Sequence, residues 1–211
     1  MTDDQQLTGL EDLTAEDLAW PSTEDDLLAL SGNQQTYAYL EVGEAGWHHR
    51  ATGFRVAAIT IAERIERDPH LAHGLVYPLG NCWRHHLELQ LKQLLADLRA
   101  FRGEAQPANG DRGHSLLKLW NAARPMLNAT LADEPEGETD IVEAVIRQLE
   151  KLDSDGQDFR YPNRTDGKEV LGGVQVLDVA NLNTLLMGIS SFFQGALTGV
   201  YEYHQAQLEM N

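Results

Sequence analysis

Apolar residues recur at spacings of three and four along most of this chain, and the stripes they draw predict helices. Trp47, Phe54, Ala58, Ile61 and Ile65 mark a helix over about 46–67, closed by Asp68-Pro69. Leu87, Leu91, Leu94 and Leu98 form the stripe of a longer helix over about 71–101, with a break expected near Pro78 and Gly80. A third helix starts near Ser115 with Leu116, Leu119 and Trp120, and Pro125 is expected to kink or end it. Ile141, Val145, Ile146 and Leu149 give a fourth over about 140–153. Asp178 caps the last helix, which runs to about 208 with Leu182, Leu186, Ile189, Phe193, Leu197 and Val200 on one face.

The segments between are of a different kind. Residues 102–113 and 132–139 read as loops, the second acidic. Residues 153–178 are turn-rich, and Thr165-Asp166-Gly167-Lys168 suits a short β-hairpin. Residues 36–42 alternate aromatic and small side chains, as a short strand or an extended lead-in would. Upstream, Thr14–Asp17 and Ser22–Asp25 each fit a capping box, and Leu27–Leu30 is expected to dock on the body. The sum is an all-α, up-down helical bundle with a turn-rich insertion before its last helix.

Charge divides the chain. The net charge is −17, yet residues 1–44 hold eleven Asp and Glu and no Lys or Arg; the remainder carries 22 acidic against 16 basic residues. Residues 1–44 therefore read as an acidic, partly disordered arm, and 45–211 as one helical domain. An acidic balance excludes nonspecific nucleic-acid binding over the whole surface, while leaving room for a local basic cleft. The single cysteine, Cys82, rules out an internal disulfide, and no basic-then-apolar leader opens the chain, so a cytoplasmic protein is expected. Val179–Tyr201 lacks charge over a bilayer's length, but its polar residues and one-sided apolar stripe mark a core helix; no membrane partner is expected. Gly195 and Gly199 suit close helix packing, as at a dimer seam.

Candidate chemistry concentrates in "NCWRHHLELQLKQLL", residues 81–95. At roughly 100° per residue from Arg84, Leu87 and Leu91 fall near 300° and 340°, Glu88 near 40°, Lys92 near 80°, His85 near 100° and His86 near 200°. Arg84 and Glu88 thus edge the leucine stripe, His85 flanks them and His86 points elsewhere. Two readings stand side by side. One is a boundary ion pair of little energetic worth. The other is a cleft in which Arg84 holds an anion, Glu88 orients it and His85 exchanges protons. His114, where the third helix begins, joins that cleft if the second and third helices form an antiparallel hairpin. Metal ligation is not expected: His85, His86, Glu88 and His114 lack the i, i+4 histidine pair of a helical zinc site. No cofactor is expected either, since "LGGV" at 171–174 lacks the lysine and spacing of a phosphate loop.

"WRHHLELQLKQLL", then "GHSLLKLW", then "FRYPNRTDGK" and a long closing helix together resemble the HEPN-like superfamily over about residues 71–205, and within it bacterial members with RHxxELxLK, GHxLxxLW and FRYP elements. That resemblance implies an often dimeric bundle, here a homodimer through the 178–208 helix. It also implies either a metal-independent endoribonuclease of a defence or toxin–antitoxin system, or a non-catalytic interaction module that binds a partner protein. The family's nucleases carry Arg, four to six residues, then His on a late helix. Here residues 178–208 contain no arginine, and Arg64–His70 and Arg67–His73, which match the spacing, straddle Pro69. For RNA or a nucleotide as ligand, the resemblance and the cluster together make Arg84, His85, Glu88 and His114 the candidate catalytic set. Arg160, Tyr161 and Arg164 are the candidate phosphate- and base-binding residues.

Overall fold

The computed structural model describes residues 20–30, 32–107, 113–131 and 137–209. The Thr14–Asp17 capping box, the middle of the 102–113 loop and most of the 132–139 acidic loop lie outside the described residues. The chain forms two compact units, residues 1–40 and 41–211.

In the first unit, the Ser22–Asp25 capping box forms its hydrogen bonds but starts only a turn. The Ser22 backbone N–H donates to Asp25 Oδ2 at 2.6 Å, and Glu24 N–H to Ser22 Oγ at 3.2 Å. A 3₁₀ turn, Gln34–Thr36, follows, capped by Asn33. Of the two forms expected over 36–42, the chain takes the extended lead-in and not the strand. Leu27, Leu28 and Leu30 are exposed.

The second unit is all-helical, with no strand among its described residues. Its helices are α1 (Gly43–Arg67), α2 (Ala72–Phe101), α3 (Leu116–Thr130), α4 (Glu138–Leu152) and α5 (Val179–Glu209). Their starts follow local chemistry. Ser115 Oγ accepts from Lys118 N–H at α3, and Asp178 Oδ1 from Asn181 N–H at α5. Asp68 ends α1 and caps the 3₁₀ turn Pro69–Leu71 that leads into α2.

α2 is the central element, packed on α1, α3 and α5. Trp83, Leu87, Leu91, Leu94 and Leu98 are buried along it, and Trp120 and Phe193 meet them from α3 and α5. Two expected interruptions do not occur: α2 runs unbroken through Pro78 and Gly80, and α3 through Pro125. At Gly80 the reason is visible. A Cβ there would stand 2.3 Å from the Phe159 ring, so the missing side chain makes room for a buried phenyl group that packs on the helix. Phe159 thereby plugs the unit, while Tyr161 stays exposed.

The 153–178 segment holds no β-hairpin. Asp153 Oδ1 accepts from the N–H groups of Gln157 and Asp158, closing a tight loop directly after α4. Thr165–Lys168 is a turn around Arg164 and Asp166, and the 3₁₀ turn Val170–Gly173 leads on to α5. Side-chain ion pairs, not a strand ladder, tie this segment together.

α5 keeps its expected stripe, with Leu182, Leu186, Ile189, Phe193 and Val200 buried. No helix among the described residues is long and apolar enough to cross a membrane.

Candidate functional site

A cavity of about 200 Å³ opens between α1, α2, the start of α3 and the loop after α4, lined by Phe54, Asn81, Arg84, His85, Glu88, His114, Asp155, Gly156 and Arg160. Five of the seven residues singled out from sequence meet there. Tyr161 and Arg164 do not.

The floor is an ion network that α2 supplies from one face. Arg84 is fully buried. Its Nη1 donates to Glu88 Oε2 at 3.2 Å, its Nε to the Asp153 carbonyl oxygen at 3.1 Å, and its Nη2 to the His114 carbonyl oxygen. One guanidinium therefore ties α2 to the end of α4 and to the entrance of α3. Glu88 is almost as buried, and its Oε1 accepts from Lys92 Nζ at 2.8 Å and His114 Nδ1 at 3.0 Å. Burial alone would raise the Glu88 pKa. The hydrogen bond and charge of Lys92, with Arg84 and His114, outweigh it and hold the carboxyl below its usual value.

The two imidazoles differ. His114 is more than half exposed, and a carboxylate can only accept, so its Nδ1 carries the proton and Nε2 is left to exchange one. His85 sits edge-on to Phe54 with ring centroids 4.4 Å apart. Burial lowers its pKa below the ordinary imidazole value, with Glu88 opposing and Lys92, Arg160 and Arg84 reinforcing the shift. Arg160 closes one wall: its Nε donates to the Gly156 carbonyl oxygen at 2.6 Å, and its guanidinium carbon lies 5.6 Å from the centre of the Tyr161 ring.

Arg164, expected to reach phosphate, is instead enclosed by Asp155, Asp158 and Asp166. Asp155, Asp166 and Asp158 hydrogen bonds raise its pKa further, and each of its three guanidinium nitrogens already donates to a carboxylate. The α3 N-terminus is likewise filled, because Glu150 accepts from Ser115 Oγ at 2.5 Å and from Leu117 N–H at 3.3 Å.

His86 corrects the helical-wheel picture. It does point away from Arg84, but into the protein: Nδ1 lies 2.8 Å from the Ala51 carbonyl oxygen and Nε2 2.8 Å from Ser190 Oγ. Burial pushes its pKa down to about 4. Four lining residues escaped the sequence reading. Asn81 had a signal, since residues 81, 84, 85 and 88 share one helical face. Phe54, Asp155 and Gly156 had none, because tertiary packing brings them in.

Compared with protein-family models, curated proteins and solved structures, the chain matches none of them.

Proposed function

We propose that this chain is a HEPN-like protein with a nucleic-acid-related role, whose cavity binds an RNA phosphate and cleaves the strand without a metal ion. The observation that carries the reading is the carboxylate-oriented imidazole, His114 on Glu88 at 3.0 Å, sharing a cavity with a second imidazole, His85, and with Arg160. At about 200 Å³ the cavity is below the roughly 300 Å³ of whole small-molecule sites and suits a single phosphodiester group.

In the step this supports, His85 takes the proton from a ribose 2′-hydroxyl. O2′ bonds to phosphorus, the P–O5′ bond breaks, and protonated His114 delivers a proton from Nε2 to the departing O5′. Glu88 is its counter-charge. The products are a 2′,3′-cyclic phosphate and a 5′-hydroxyl. Arg160 balances the charge that gathers on phosphorus oxygens. Arg84, enclosed by three acceptors, positions Glu88 and the His114 backbone.

The test is incubation of the full chain with mixed RNA in EDTA, beside His85→Ala, His114→Ala and the double variant. Cleavage to cyclic-phosphate ends is expected, with each variant losing about 10²–10⁴-fold. A folded chain that neither cleaves nor binds RNA sinks the proposal. A second reading, a non-catalytic interaction module, draws on Arg84: a guanidinium with protein acceptors at Nε, Nη1 and Nη2 explains the cluster as a strut. RNA or partner binding by the wild-type chain without any cleavage favours it.

A second copy docked on α5 fits either reading. Between residues 179 and 201 the exposed face of α5 carries no charge, and a Cβ at Gly188 or Gly195 would meet no atom within 4 Å. Light scattering is expected to give a dimer mass for the wild type and a monomer mass for Gly195→Arg.

A further inference from the structure

The loop after α4, "DSDGQD", places Asp153, Asp155 and Asp158 so that one carboxylate oxygen from each lies within 4.8 Å of the other two. Acidic clusters are common, and this one alone would mean little. Asp153 adds a separate observation. It is fully buried, and while its Oδ1 accepts two backbone N–H groups, its Oδ2 is buried with no hydrogen-bond partner. Among the described residues its carboxylate is in no ion pair. Arg84 reaches only the Asp153 backbone oxygen. A carboxylate oxygen enclosed without donor or cation is costly.

The local charge balance points the same way. Asp155, Asp158 and Asp166 face Arg164 and Lys168, leaving one negative charge in excess before the unpaired Asp153 carboxylate is added. Arg164 spends its donors on Asp155, Asp158 and Asp166, and Lys168 pairs with Asp166 at 3.0 Å.

We propose that this loop binds a hard divalent cation, Ca²⁺ foremost, through Asp153 Oδ2 and one carboxylate oxygen each from Asp155 and Asp158. Three carboxylates within six consecutive residues form an all-oxygen set, which suits Ca²⁺, with its tolerance of irregular geometry, better than Mg²⁺. The absence of nitrogen and sulfur donors in the cluster disfavours zinc and copper. Arg164 holds both oxygens of Asp155 and Oδ1 of Asp158, and Leu171 N–H donates to Asp158 Oδ2 at 3.1 Å; each oxygen has two lone pairs, so the second one on each is left for the ion. Arg164 then orients the ligating carboxylates, as outer partners of metal ligands do. Asp155, Gly156 and Arg160 line the cavity from this same loop, so the ion would set that wall. The inference stands whether or not the cavity cleaves RNA.

The experiment uses the full chain stripped with EDTA and titrated calorimetrically with CaCl₂, MgCl₂ and ZnCl₂, with thermal melts alongside. Saturable 1:1 binding of Ca²⁺ is expected, with a Kd below about 1 mM, tighter than Mg²⁺, and with a raised Tm. Asp153→Asn keeps an oxygen for the Gln157 and Asp158 N–H groups and is expected to weaken Ca²⁺ at least about tenfold. Asp155→Asn, at a partly exposed position, is expected to do the same with a wild-type circular dichroism spectrum, and it decides the matter should Asp153→Asn fail to fold. No saturable binding at about 10 mM Ca²⁺ or Mg²⁺ overturns the proposal. Binding that folded Asp155→Asn leaves unchanged overturns it equally.

Discussion

Residue by residue, the polar groups on α2 are bound to the fold on two opposite sides, and each side yields a distinct expectation. His86 bridges α1 and α5. The Ala51 carbonyl can only accept, so Nδ1 carries the hydrogen and Nε2 accepts from Ser190 Oγ–H. The folded pKa is about 4, below the roughly 6.5 of an unfolded histidine, so the unfolded chain takes up a proton that the folded chain refuses. His86 is therefore neutral to stability above pH about 6.5, and destabilises progressively as pH falls toward 4, by up to about 3 kcal/mol. His85 acts with the same sign, since burial lowers it too. Urea titrations between pH 7 and 5 should show the midpoint falling with pH. His86→Gln should flatten most of that slope, whereas His85→Gln removes the lesser part. Across the helix, Glu88 behaves as a buried counter-charge. Glu88→Gln leaves Arg84, fully buried, without its carboxylate, and should cost about 3–5 kcal/mol. Lys92→Met, at the better-solvated end of the same network, should cost about 1 kcal/mol or less. Equal losses in denaturant unfolding would show that Lys92 is as integral to the network as Glu88. The place of Arg84 and Glu88 beside the leucine stripe was legible, but their depth was not: the wheel puts them at its edge, and the fold buries both. The environment of His86 was not, because a helix wheel assumes a solvent side, and α2 at the site has protein on both.

At the scale of elements, the helix starts and stops were carried by local chemistry and could be read directly: Asp68-Pro69, Ser115 and Asp178 each terminate or cap as expected. Continuity through Pro78, Gly80 and Pro125 could not, because propensity is local, and at Gly80 the compensation is tertiary. Gly80 is the clearest instance. On an isolated helix Gly→Ala gains up to about 1 kcal/mol. Here the added methyl would lie 2.3 Å from the buried Phe159 ring, so Gly80→Ala should destabilise by about 1–3 kcal/mol. Phe159→Ala should cost about 3–5 kcal/mol. In the Gly80→Ala, Phe159→Ala double variant the alanine methyl enters the vacated space, so the two losses should fall short of additivity in thermal or urea unfolding. Strict additivity would separate the two sites. The hairpin expected at Thr165–Lys168 failed for a related reason. The Asp-Gly signal is real, but Arg164 draws Asp155, Asp158 and Asp166 around itself, and that cage holds the turn without a strand on either side.

For the whole molecule, charge limits how any nucleic acid can be held. With a net charge of −17, the surface as a whole repels a phosphate backbone, and attraction has to come from the cavity. Of its two arginines, Arg84 is bound on three donor atoms to protein acceptors, and Arg160 stands at the wall. RNA held there neutralises about one or two phosphates, and counterion release from a single strand follows a log–log slope of about −0.7 per phosphate. Between about 50 and 200 mM salt the affinity should thus fall by only about three- to sevenfold, against 10³–10⁵-fold for proteins that grip six to ten phosphates. Arg160→Gln should flatten the remaining slope almost to zero. A fluorescence-anisotropy titration of single-stranded RNA, with His85→Ala and His114→Ala to prevent turnover, measures both. A steep slope, or one that Arg160→Gln leaves intact, would place the contact on some other basic surface and detach RNA binding from the cavity; a shallow slope that Arg160 controls would tie recognition to a single phosphate beside His85 and His114.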